Sequence, residues 1–186
     1  MSFRYEIRLS GSGGQGLILA GQVLAEAAAI YDHHNATQSQ SYGPEARGGA
    51  SRSDVIIADE EIDYPKATHV DLLLALTQQA CDKYISDLKP GGILLIDSTA
   101  VTKIPEGNFE VHTFPMTDIA TQEMGKAVVA NILALGLITG LSKVVSPAAM
   151  EQAIRARVPK GSEELNLKAF RKGLDMTEKI HTQTGG

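Results

Sequence analysis

The sequence predicts a three-layer α/β/α domain of Rossmann-like character, built on a mixed, mostly parallel sheet and ending in a helical C-terminal third. Three observations predict it. Val55-Ile56-Ile57, Leu72-Leu73-Leu74 and Ile93-Leu94-Leu95-Ile96 are nearly continuous apolar runs, the pattern of strands covered on both faces. Helical patterns separate these runs. A glycine turn, Gly11-Ser12-Gly13-Gly14-Gln15-Gly16, joins the first strand to the first helix. A length of 186 residues with 43% apolar content suits one domain spanning 1–186, large enough to bury a core.

Strands are expected at 5–10, 36–42, 53–58, 70–76, 93–97 and 110–114. Those at 36–42 and 53–58 are joined by too few residues for a helical crossover, so they should run antiparallel. Helices are expected at 17–31, 78–88, 117–124, 126–141, 147–157 and 163–181, with 182–186 frayed. Ser146-Pro147 supplies an N-cap followed by proline in the first turn. Lys89-Pro90-Gly91-Gly92 reads as a turn leading into the strand at 93. Gly136 and Gly140, in the apolar helix, should serve internal helix-on-sheet packing. Lys168, Arg171, Lys172 and Lys179 alternate with acids, as on a solvated face.

A glycine turn between strand and helix exposes the first N–H groups of the helix, and the helix dipole there favours an anion. The six residues also satisfy G-x-G-x-x-G, but a dinucleotide site needs an acid about 20 positions later, at the end of the second strand. The strand at 36–42 ends without one, and Asp32 precedes it. Gln15, a long polar side chain where tight turns favour small residues, should contact something. A purely structural turn without a ligand stays open beside the anion-binding reading.

A net charge of −5 argues against a nucleic-acid partner. The first residues lack the apolar core of a signal peptide. The stretch 127–141 is too short to span a bilayer. The expectation is a cytoplasmic protein without membrane contact. The single cysteine, Cys81, rules out an internal disulfide framework and a cluster needing about four thiolates. It reads as a small core residue. No catalytic residue and no metal site suggest themselves.

The second informative segment is Ser41-Tyr42-Gly43-Pro44-Glu45-Ala46-Arg47-Gly48-Gly49-Ala50-Ser51-Arg52. Gly43-Pro44 sets an abrupt turn, and Gly48-Gly49 permits unusual backbone angles or close approach. Glu45 and Arg47 bracket Ala46, and arginine presents a planar fork suited to phosphate or carboxylate. An ordinary hairpin with a surface ion pair is the plainer reading. Both glycine-rich loops should lie at the same end of the sheet.

The pairing of Gly11-Ser12-Gly13-Gly14-Gln15-Gly16 with the block from Ser41 to Gly49 resembles the gamma subunit of 2-oxoacid:ferredoxin oxidoreductases, most nearly the 2-oxoglutarate type. The helix from Lys126 to Gly136, with Asn131, is similar too. Ala46 departs from the larger apolar residue common among relatives. The resemblance implies a subunit of an enzyme that oxidatively decarboxylates a 2-oxoacid, passes the acyl group to coenzyme A and sends two electrons to ferredoxin or another acceptor. It also implies that thiamine diphosphate, magnesium and the iron–sulfur clusters sit on alpha and beta partners, with a ferredoxin-like delta subunit as a further partner. The isolated chain should then be inactive, and its associations, including self-association without partners, should use the two loops. The residues that match the family are Gly11, Gly13, Gly14, Gln15 and Gly16, then Gly43, Pro44, Glu45, Arg47, Gly48 and Gly49. They would contact coenzyme A or a neighbouring subunit. The readings that compete are a free-standing NAD- or FAD-binding enzyme and a nucleotide- or acyl-CoA-binding regulatory module.

Overall fold

The computed structural model describes residues 2–41 and 49–183. Six strands form one sheet: β1 (Arg4–Ser12), β2 (Asn35–Ser41), β3 (Ala50–Ala58), β4 (Val70–Ala75), β5 (Leu88–Asp97) and β6 (Glu110–Phe114). Their order is β2-β3-β1-β4-β5-β6. β3 runs antiparallel to both β2 and β1, while β1, β4, β5 and β6 pair in parallel. The sheet is therefore mixed and mostly parallel, with one reversed strand next to its centre.

The period of two along each strand divides the apolar runs between two cores. Ile7, Leu9, Val55, Ile57, Leu72, Leu74 and Leu95 face the larger one. It is closed by α1 (Leu17–Glu26), α3 (Met116–Met124), α4 (Ala130–Ser142), α5 (Pro147–Arg157) and α6 (Glu163–Gln183). Ile56, Leu73, Ala75, Leu94 and Ile96 face the smaller core under α2 (Gln78–Tyr84). On that side β1 carries Glu6, Arg8 and Ser10, all buried and polar. Arg8 belongs to a buried charge network described below, while Glu6 pairs with Arg4 and the Ser10 hydroxyl donates to the Leu74 carbonyl.

Several element boundaries differ from expectation: β1 and β3 run longer, and the helix expected at 126–141 opens as a 3-10 turn, Ala127–Val129, before α4. The helix expected at 17–31 ends at Glu26 and widens into a π turn, Ala27–Tyr31, where the Asp32 N–H reaches back to the Ala27 carbonyl at 3.0 Å. The helix expected at 78–88 stops at Tyr84 and tightens into a 3-10 turn, Ile85–Asp87. The Lys89-Pro90-Gly91-Gly92 turn lies inside β5. Val70 pairs with Leu88 and Leu72 with Ile93, so the intervening residues bulge out of register. The Gly91 N–H donates to the Asn108 carbonyl at 2.7 Å. A Cβ on Gly92 would stand 2.9 Å from the Asp71 carbonyl oxygen. Turn chemistry is present, spent on a bulge.

Caps follow the sequence. Ser146 Oγ accepts the Ala149 N–H at 3.2 Å above Pro147, and Thr77 Oγ1 accepts the Ala80 N–H at 3.2 Å. Asp32 binds Ser146 through both carboxylate oxygens, accepting its N–H at 2.6 Å and its hydroxyl at 2.7 Å. That acid anchors the start of α5.

α4 is buried at every position from Ala130 to Thr139, as expected of a helix apolar all round. Its Gly136 meets α6, not the sheet: a Cβ there would stand 2.1 Å from the Phe170 carbonyl oxygen. Gly173 meets the Leu133 carbonyl in the same way, and Gly140 faces Thr177. The glycines do serve internal packing, but of helix on helix. On the outer face of α6, Lys172 pairs with Glu123 of α3 at 3.3 Å, and Arg171 with Glu151 of α5. Such exposed pairs contribute little to stability. Cys81 is fully buried, and burial, helped by nearby Asp82, raises its thiol pKa to about 11.

Candidate functional site: a cleft at the glycine turn

β1 delivers the chain to the turn, and α1 leaves it. Gly14 and Gly16 have φ of +85° and +72°, a conformation that disfavours any side chain. Gly13 and Gly14 would have open space around an added Cβ, so their backbone is bare to an incoming group. Gln15 contacts its own loop: its Oε1 accepts the Ser12 N–H at 2.7 Å, folded over Gly11. It closes the turn.

Gly16 is fixed from across the domain. Asn131, at the start of α4 and 3% exposed, donates from Nδ2 to the Gly16 carbonyl at 3.0 Å. Its Oδ1 accepts the Ile132 N–H at 2.7 Å. A Cβ on Gly16 would collide with that amide at 2.4 Å. α1 has no side-chain cap and no acid in its first turn. Its positive end is therefore directed into whatever lies before it.

Before it lies a cleft of about 340 Å³. One wall is the turn and the start of α1, through Ser12, Gly13, Gly14, Gly16, Leu17 and Ile18. The other is the end of β2 and the start of β3, through Gln40, Ser41, Gly49, Ala50, Ser51 and Arg52. The end of β1, the end of β2 and the start of β3 lie at the same end of the sheet because β2 runs in the direction of β1 and β3 returns against both. Gly43, Pro44, Glu45, Arg47 and Gly48 lie outside the described residues. Of the residues singled out by sequence, Gly13, Gly14, Gly16 and Gly49 line the cleft. Gly11 and Gln15 shape the turn, and Gln15 also lines a smaller hollow of about 300 Å³ beside Leu76, Thr117 and Val128.

Sequence reasoning did not single out Ser12, Ser51 or Arg52 as site residues. Arg52 stands in the second glycine-rich segment, but its place depends on register: it pairs with Ser10 of β1 and with Ser41 of β2. Two residues along, Asp54 meets Arg8, whose side chain is 1% exposed. Arg8 donates from Nε to Asp54 Oδ1 at 2.9 Å and from Nη2 to Oδ2 at 3.3 Å. It also donates to Asp87 and, at 2.9 Å, to the Ala67 carbonyl. Burial alone would lower the pKa of Arg8, but its hydrogen bonds and charge pairing with Asp54 and Asp87 outweigh this and raise it. Tyr84 lies beneath both arginines, its ring centre 5.2 Å from the Arg8 guanidinium and 5.6 Å from that of Arg52.

Among the described residues, no three His, Cys, Asp or Glu side chains gather to hold a metal ion, and no helix is long and apolar enough to cross a membrane. The one cysteine of the sequence lies on the buried face of α2, which does not fit an iron–sulfur cluster. The arrangement can accept an anion in the cleft and present it with backbone donors, hydroxyls and a guanidinium.

The sequence pattern of the pyruvate ferredoxin/flavodoxin oxidoreductase family matches residues 6–176. The chain is 52% identical over 182 residues to the 2-oxoglutarate synthase subunit KorC of Methanocaldococcus jannaschii, spanning 97% of each protein. The gamma subunit of a keto/oxoacid ferredoxin oxidoreductase from Geobacter sulfurreducens superposes with a TM-score of 0.86 at 55% identity, over 94% of this chain and 99% of that one. The 2-oxoglutarate:ferredoxin oxidoreductase of Magnetococcus marinus shares the fold, with a TM-score of 0.83 at 22% identity. It matches over 95% of this chain and only 31% of its own, so there the same fold is part of a longer polypeptide. The chain belongs to the pyruvate ferredoxin/flavodoxin oxidoreductase family.

Proposed function

We propose that this chain is the gamma subunit of a 2-oxoglutarate:ferredoxin oxidoreductase and contributes the cleft at its glycine turn to the coenzyme A site. The observation that carries the reading is the cleft itself, where the uncapped start of α1 faces Arg52 across an open hollow. Phosphate groups fit such a place, because N–H donors, a helix dipole and an arginine fork act on the same charge. The names of the relatives supply the reaction. A 2-oxoacid and coenzyme A give an acyl-coenzyme A and carbon dioxide, and two electrons pass to the acceptor.

Thiamine diphosphate with magnesium, and the iron–sulfur clusters, supply the carbanion and electron-transfer chemistry from the alpha, beta and delta partners. This chain holds and orients the acyl acceptor. From the second loop, Arg47 is proposed to join Arg52 on the same anion, with Glu45 orienting it. Ferredoxin meets the complex through the partners that hold the clusters.

The test is reconstitution. Alone, the chain should show no visible chromophore and should not reduce a viologen dye with 2-oxoglutarate and coenzyme A. Added to its partner subunits, it should restore the coenzyme A-dependent reaction. In that complex Gly13→Asp, at a position with room for a side chain, sets a carboxylate against the anion site. It should raise the KM for coenzyme A roughly ten- to a hundredfold, the equivalent of one lost charge-assisted contact. A flavin or iron–sulfur spectrum in the isolated chain, or a complex indifferent to Gly13→Asp, overturns the proposal.

A further inference from the structure

We infer that Arg52 is the residue that reads a phosphoryl group of the ligand in this cleft, held ready by Asp54 and Tyr84 while Arg8 keeps Asp54 from neutralising it. The inference rests on the proposed coenzyme A reading and assigns it a specificity residue.

Asp54 is the only carboxylate that Arg52 meets among the described residues, and Asp54 is already committed. Both its oxygens accept from Arg8, at 2.9 and 3.3 Å. What remains for Arg52 is an approach of its Nε to Asp54 Oδ2 at 3.7 Å, beyond hydrogen-bond length. That contact directs the guanidinium without bonding to it. The Tyr84 ring, 5.6 Å from the guanidinium carbon, gives it a flat partner.

The Nε edge of the fork therefore faces Asp54, and no hydrogen bond engages its two Nη groups among the described residues. The side chain is 32% exposed and borders the cleft. An arginine retained only to balance Asp54 would bond to it directly, as Arg8 does. Arg8 cannot reach a ligand, being buried and bonded to two carboxylates and a carbonyl. The pair thus divides the work: Arg8 satisfies the buried Asp54, and Arg52 keeps paired donors free for a planar, bidentate contact with a phosphoryl oxygen pair. A lysine in its place would supply charge without the fork.

The experiment uses the reconstituted complex and three acyl acceptors: coenzyme A, 3′-dephospho-coenzyme A and pantetheine, which lacks every phosphate. Arg52→Gln should raise the KM for coenzyme A roughly tenfold or more, change kcat little, and leave the KM for pantetheine as in the parent enzyme. Whether 3′-dephospho-coenzyme A follows coenzyme A or pantetheine shows which phosphate is read, the pyrophosphate or the 3′-phosphate. Arg52→Lys, which preserves the charge of the cluster, should show the same selectivity with a smaller rise. Equal increases for all three acceptors make Arg52 a structural prop and overturn the inference. An unchanged KM for coenzyme A in both variants overturns it too. In that case a complex still impaired by Gly13→Asp leaves the cleft reading standing, while one insensitive to Gly13→Asp removes both.

Discussion

The side-chain amide of Asn131 donates to the main-chain carbonyl of Gly16 at 3.0 Å, across 115 positions of sequence. The bond ties the start of α4 to the start of α1. It holds Gly16 in the left-handed conformation that aims α1 at the cleft. Asn131→Asp retains the oxygen that accepts the Ile132 N–H but sets a carboxylate against the Gly16 carbonyl. The variant should lose about 1–3 kcal/mol of stability in urea unfolding. In the assembled complex it should also raise the KM for coenzyme A, while Asn131→Ala should show a smaller stability loss.

Gly136 and Gly173 set how closely α4 and α6 approach. On an exposed helix Gly→Ala gains about 1 kcal/mol. Here Gly136→Ala drives a methyl against the backbone oxygen of Phe170, and overpacking of a tight core costs about 1–3 kcal/mol. The clash should win. Gly136→Ala and Gly173→Ala should each lower the urea midpoint, and the two together should be less than additive, since moving the helices apart relieves both.

Arg8 and Asp54 should be strongly coupled. Arg8→Leu leaves the buried Asp54 carboxylate without its main partner, while the more exposed Asp87 turns to water, and breaking one side of a buried pair costs about 3–5 kcal/mol. Asp54→Leu alone leaves Arg8 with Asp87 and a carbonyl, a milder loss. Replacing both should cost less than the sum of the single changes. A double-mutant cycle by chemical denaturation measures this, and simple additivity would deny the network its cooperative character.

The Cys81 thiol gives the fold a signature at high pH. Its pKa stands at about 11 in the folded chain against an ordinary 9.0, so the native state holds the proton more tightly than the unfolded state. The resulting stability is complete below pH about 9 and is lost as pH rises through about 11. The urea midpoint of the native chain should therefore fall over that interval, and Cys81→Ala should flatten the fall. Thiol reagents at pH 8 should label the native protein only through unfolding, at a rate that denaturant accelerates.

The strands were legible because burial on both faces leaves an unbroken apolar record, as at Ile93-Leu94-Leu95-Ile96. Caps at Ser146 and the glycine turn were legible because their chemistry is local. The Pro90-Gly91-Gly92 segment misled on position because a bulge inside a strand needs the same residues as a turn between elements. Asp32, Asn131 and Arg52 were opaque for a different reason. Each acts on a partner brought near only by the fold: Ser146 on α5, Gly16 at the turn, and the wall of a cleft whose other side begins 40 positions earlier. The packing role of Gly136 was legible but its partner was not, since nothing near it in sequence points to Gly173.

The central position of β1 sets the order in which the domain can be assembled. Its neighbours on the two sides come later in the chain: Arg8 waits for Asp54, 46 positions on, and Ser10 for Leu74, 64 positions on. During synthesis the first strand made stays unpaired until β3 and then β4 have left the ribosome. The glycine turn cannot take its final form before α4, with Asn131, arrives later still. Closing such long loops is slow. The nascent chain therefore lacks the contact that fixes its ligand-facing turn until α4 has been made, well past the middle of the sequence.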